Sequence, residues 1–94
     1  MARALTEKMI EILKRAVDEG FEIGLDCTMN GRAWAQKGGL GKGGPSMKIH
    51  TNTFDSLERR GLIEINLRFR EKFPTRHYRV TKEGVAALRE AEGM

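Results

Sequence analysis

The chain has 94 residues, 39% hydrophobic and 32% charged, with a net charge of +4, which suits one domain with one modest core. No apolar run approaches the ~18 residues of a membrane span, and none at the N-terminus resembles a secretory leader. The single cysteine, Cys27, excludes an internal disulfide, so the expected location is cytoplasmic.

The first helix is predicted over residues 6–19. Thr6 is a good N-cap, and Leu5 and Ile10 stand at the two positions of a hydrophobic staple. Leu5, Met9, Ile12, Leu13, Ala16 and Val17 repeat at helical spacing, while Glu7, Lys8, Glu11, Lys14, Arg15 and Asp18 keep the other face wet. Gly20 stops the helix. A core role is expected, with a dimer contact as the alternative.

Phe21 to Met29 alternates between apolar and small or polar residues, as a half-buried strand does. Asn30-Gly31 is a strong hairpin signal, because both residues accept the positive φ of a type I′ turn. Arg32–Lys37 then returns as the second strand, with Met29 opposite Arg32 and Cys27 opposite Trp34. Trp34 is expected as a core or rim aromatic against the first helix; base stacking is the alternative role.

Residues 38–45 hold five glycines in eight positions, so a flexible surface loop is expected. Gly39, Gly41 and Gly44 spell a dinucleotide-binding pattern by letter, but the chain has little room for the parallel sheet that pattern needs. Lys42 is followed by Gly43 and not by Ser or Thr, which removes the triphosphate-loop reading. Lys37 and Lys42 are instead candidates for phosphate contacts. No helical period appears between Gly20 and Pro45.

His50 to Ile63 reads as a helix that turns straight into a strand. Thr51 or Asn52 can cap it. Ile49, Phe54 and Leu57 form the apolar stripe; Asn52, Asp55, Ser56 and Arg59 lie opposite, with Arg60 at the margin. Gly61 suits the left-handed residue that closes a helix.

Leu62–Arg70 alternates again, with Ile63, Ile65, Leu67 and Phe69 inward. Glu71–Thr75 makes a turn containing Pro74. Arg76–Thr81 returns, with Tyr78 and Val80 inward and His77 and Arg79 on the alternate face. The outer face and tip gather Arg68, Arg70, Lys72, Arg76 and Arg79. Thr81 caps a last helix that turns Val85, Leu88 and Ala91 inward and ends at Gly93.

Charge follows this layout. Residues 1–31 carry four basic and six acidic side chains, residues 32–82 twelve and four, and residues 83–94 one and three. A basic middle between acidic ends is what a nucleic-acid face requires.

The run T-x-T-F-x-x-L-E-R-R-G-L-I at Thr51–Ile63, a basic hairpin, and then Y-R-V-T-x-E-G at Tyr78–Gly84 together resemble the winged helix-turn-helix domains of prokaryotic and phage transcriptional regulators. The resemblance covers Ile49 to about Ala91. It implies a small α+β winged-helix domain ordered helix–hairpin–loop–helix–hairpin–helix, with a recognition helix at about 50–60 and a wing at 62–80. The partner it implies is double-stranded DNA, bound by a possible homodimer. Asn52, Asp55, Ser56 and Arg59 are then expected in the major groove. Lys48, Thr51 and the wing residues Arg68, Arg70, Lys72, Arg76 and Arg79 are expected on the phosphate backbone. His50, His77 and Lys42 are further candidate phosphate donors.

The pattern departs from the family in lacking a second helix before the recognition helix. Either that helix is short and lies near Ser46–His50, or the hairpin replaces it. The departure favours the alternative of a winged-helix adaptor for a protein partner. No metal-ligand spacing, nucleophile motif or carboxylate pair is present. No cofactor and no enzymatic activity are therefore expected.

Overall fold

A computed structural model describes residues 4–27, 32–67 and 75–93. In chain order the elements are α1 (Glu7–Asp18), β1 (Phe21–Asp26), β2 (Ala33–Lys37), β3 (Ser46–Ile49), α2 (Thr51–Arg59), β4 (Ile63–Ile65), β5 (Thr75–Val80) and α3 (Lys82–Gly93). The strands form one sheet in the order β3-β2-β1-β5-β4, and every neighbouring pair is antiparallel. The fold is therefore α+β, with three helices and five strands among the described residues.

The helices share one face of the sheet. Met9, Ile12 and Leu13 of α1, Phe54 and Leu57 of α2 and Leu88 of α3 join Phe21, Ile23, Ala33, Ala35, Ile49, Ile63 and Tyr78 in one buried cluster. Each fully buried Leu or Ile there contributes about 1.5–3 kcal/mol of hydrophobic stabilisation. Phe54 meets Tyr78 edge to face, with ring centroids 4.8 Å apart, the preferred geometry for two ring quadrupoles.

The expected capping of the outer helices is present. Thr6 accepts a hydrogen bond from the Met9 amide (3.1 Å), and Leu5 and Ile10 both pack on the core. Thr81 Oγ1 accepts from the Gly84 amide at 2.9 Å and donates to the Gly61 carbonyl at 2.6 Å. That clasp ties the end of α2 to the start of α3. The two outer helices are also pinned to each other, because Arg89 of α3 reaches Asp18 of α1 at 2.8 and 3.2 Å. Within α3, Leu88 is buried and Val85 partly so, whereas Ala91 is exposed and Ala87 packs on the core instead.

Three local expectations are corrected and one open alternative is decided. Of a short helix or a hairpin before α2, the second is found: Ser46–Ile49 is a third strand that pairs with Ala33–Gln36. The cap of α2 is His50, whose Nδ1 accepts from the Asn52 amide at 3.1 Å, while Thr51 and Asn52 are already helical.

The β1–β2 register differs by three residues from the two-residue-turn expectation. Trp34 lies opposite Gly24, and the ladder closes where the Asp26 amide meets the Arg32 carbonyl at 2.7 Å. An odd shift moves every side chain of the strand to the other face. Ala33 and Ala35 therefore enter the core, Trp34 turns to the helix-free face, and Cys27, beyond the strand end, is exposed. The small alanines also let α1 approach the sheet. Finally, β4 ends at Ile65, and Leu67, expected inward, is 66% exposed. The expected Asn30-Gly31 turn, and residues 68–74 of the expected wing, lie outside the described residues.

Candidate nucleic-acid interface

α2 is only nine residues long, about 13 Å. With Phe54 and Leu57 fully committed to the core, the opposite side is left to solvent. At about 100° per residue, Thr51, Asp55, Arg59, Asn52 and Ser56 fall within an arc of roughly 140° centred opposite that buried pair. Thr51, Asn52, Asp55 and Arg59 are exposed and Ser56 is half-buried. The structure thus brings together five of the residues picked from sequence. His50 joins them at the helix start, and Lys48 is exposed two residues earlier on β3.

The hairpin after α2 is arranged differently from the expectation. Arg76 shares strand parity with Tyr78, not with Arg79, so it belongs to the helix-bearing side, where it is exposed beside the Tyr78 phenol. Arg79 is held by Glu64 on the neighbouring strand, with Nε 2.7 Å from the carboxylate. His77 lies 3.0 Å from Glu22 and is mostly buried. Arg68, Arg70 and Lys72 lie outside the described residues.

Tyr78 also donates to Glu58 of α2 at 3.1 Å, which fixes the helix against β5. Burial, reinforced by the Glu58 carboxylate, pushes the Tyr78 phenol above its ordinary value of 10.0, against the opposing pull of Arg76. The phenol therefore stays a neutral donor across the physiological range.

The glycine-rich segment closes the β2–β3 hairpin and folds onto the helix-free face. Gln36 anchors it twice, accepting from the Gly41 amide (3.0 Å) and donating to the Gly44 carbonyl (3.1 Å). Glu22 accepts from the Leu40 amide at 2.8 Å while its other oxygen faces His77. Leu40 then covers Gly24, where even a methyl group would meet its Cδ1 at 2.6 Å. Lys42 is exposed on this loop.

These contacts sort the cations. Lys8, Lys14, Arg15, Arg79 and Arg89 face carboxylates. Arg32, Lys37, Lys42, Lys48, Arg59, Arg76 and Lys82 have no acidic partner among the described residues. Most of this uncompensated charge lies on the β2–β3 hairpin and at α2, with Arg76 on β5 and Lys82 at the start of α3 as the remainder. Lys37, Lys42, Lys48 and Arg59 were legible in the sequence but Arg32 was not; the only signal for it was its place next to the Asn-Gly turn. Among the described residues no three His, Cys, Asp or Glu side chains converge as metal ligands, and no helix is long and apolar enough to cross a membrane.

No protein-family model, curated protein or solved structure matches the chain.

Proposed function

We propose that the chain binds double-stranded DNA with α2 in the major groove and the β4–β5 hairpin beside it, as a small winged-helix regulator does. The observation that carries this reading is the solvent-facing arc of Thr51, Asn52, Asp55, Ser56 and Arg59 on a helix flanked by uncompensated Lys48. A major groove about 12 Å wide admits one α-helix. Asn52 can bond an adenine edge, Asp55 can accept from cytosine, and Arg59 can fork onto guanine. Thr51 at the entry to the helix, and Lys48 at the adjoining sheet edge, can meet phosphate oxygens. The order α1, β1, α2, hairpin, with β5 between β1 and β4, supports the winged-helix reading. The β2–β3 hairpin stands in for the missing helix.

The test is a fluorescence-anisotropy titration of a labelled random duplex over a range of salt. Binding should weaken along a straight log–log line, with a slope of about −0.9 per phosphate contacted. Lys48→Ala should lower that slope by about one contact for every sequence. Asn52→Ala and Arg59→Ala should relax the preference among selected sequences. No binding at low salt overturns the reading. The replacement of the second helix by a hairpin favours a second reading, an adaptor for a protein partner, which that result would promote.

A further inference from the structure

We propose that the helix-free face of the sheet carries a subsite for an unpaired nucleotide of single-stranded nucleic acid. The base lies on the Trp34 indole, and the flanking phosphates are held by Lys48 and Arg32. This goes beyond the duplex reading and does not depend on it.

The sheet itself builds the platform. Ala33 and Ala35 point into the core, so Trp34 between them must point away from the helices. Its strand neighbours on that face are Gly24 on β1 and Lys48 on β3. Gly24 has no side chain, and a Cβ built there would stand 3.3 Å from Cζ2 of the indole and 2.6 Å from Leu40. The ring is therefore backed by the Gly24 backbone, which Leu40 also covers, yet it is only half-buried. A tryptophan held in place but left partly open presents a π-face that every base can stack on.

The charge around it suits a nucleic-acid strand. Lys48 is directly across the pair from Trp34, about 5 Å away in the sheet. Arg32 precedes Trp34 by two residues and so rises from the same face, about 7 Å along the strand. Both are exposed and lack an acidic partner among the described residues. Together with Asp26, Ile49 and Thr51 they line a cleft of about 440 Å³, within the size range of sites that hold small organic groups. Two cations against one acid leave the cleft net positive. A base in a duplex is already stacked on both sides, so only an unpaired nucleotide can use the indole.

Trp34 is the only tryptophan, so its emission reports on the site directly. We would titrate the full chain with an oligothymidylate of about eight nucleotides at low salt. Saturable quenching is expected, together with a log–log salt slope that falls by about 0.7 in Arg32→Ala and again in Lys48→Ala. By anisotropy, Trp34→Leu should bind at least about five-fold more weakly. Circular dichroism checks its fold; should it unfold, the two exposed cation variants carry the test unaided. Absence of quenching overturns the proposal, as does a slope unchanged in both cation variants. A duplex titrated in the same buffer separates the two readings: duplex binding without oligothymidylate binding overturns this subsite and leaves the role of α2 intact, and the reverse result does the opposite.

Discussion

Replacing Gly84 by alanine tests how tightly the base of the β4–β5 hairpin is built. In an ordinary helix the change is favourable by about 0.5–1 kcal/mol, because glycine carries excess backbone entropy. At Gly84 the added methyl carbon would stand 2.2 Å from the Leu62 carbonyl oxygen and 2.6 Å from Cγ1 of Val80. The nearer atom is backbone, and it already accepts from the Thr81 amide at 3.0 Å, so it cannot rotate away. α3 must back off, which loosens fully buried Leu88 and the Thr81 clasp on Gly61. Overpacking of this kind costs about 1–3 kcal/mol, and steric overlap with a fixed oxygen belongs at its upper end. The net loss should therefore be at least about 1 kcal/mol, a fall in Tm of roughly 4–8 °C for a domain of this size. Urea and thermal unfolding followed by circular dichroism would measure it. Gly93→Ala in the same helix is the control: nothing lies within 4 Å of its added carbon, so its Tm should hold or rise slightly. A Gly84→Ala variant as stable as the parent would refute the close approach and, with it, the described seating of α3.

Two further outcomes follow from named contacts. His50→Ala should destabilise the chain by about 0.5–2 kcal/mol in urea, because the Asn52 amide loses its cap, whereas His50→Asn should recover most of that loss. Arg89, chiefly through its hydrogen bonds, holds the Asp18 carboxyl below its ordinary value of 3.8. A carboxyl depressed in the folded state stabilises above its unfolded value and loses that contribution as pH falls through the folded one. The parent should therefore be slightly more stable than Asp18→Asn at neutral pH, and the two should converge in strong acid. A constant gap across the pH range would deny the ion pair any role.

The helices were legible because period, cap and stop agree within a few residues. Thr6 and Thr81 cap as their side chains suggest, and Gly61, at φ 73°, closes α2 in the left-handed conformation that glycine tolerates. The strands were legible as alternation but not as pairings. The Asn-Gly signal suggested a two-residue turn, yet the pairing that buries Ala33 and Ala35 is offset by three residues, and core packing decided the register. β3 escaped notice because four residues, Ser-Met-Lys-Ile, offer too little alternation to stand out beside a glycine run. His50 was passed over as a cap because imidazole is a less common acceptor there than the hydroxyl or amide that follows it.

The same limit applies with more consequence to the charges. Counting placed a basic block over residues 32–82 and assigned much of it to the wing. Pairing across strands redistributes it. Arg79 meets Glu64 fifteen residues away, and His77 meets Glu22 fifty-five residues away, distances at which sequence spacing is silent. A cation engaged by a carboxylate has less to offer a phosphate, since binding must first disrupt the existing pair. Arg32, Lys48 and Arg59, with no such partner among the described residues, can release counterions from a nucleic acid without that loss. Within the described part of the hairpin Arg76 keeps that freedom and Arg79 does not, so the hairpin offers less free charge than its composition suggested. The β2–β3 edge offers more: Arg32 and Lys48 stand beside Trp34 on the helix-free face, and Thr51 at the start of α2 lines the same cleft.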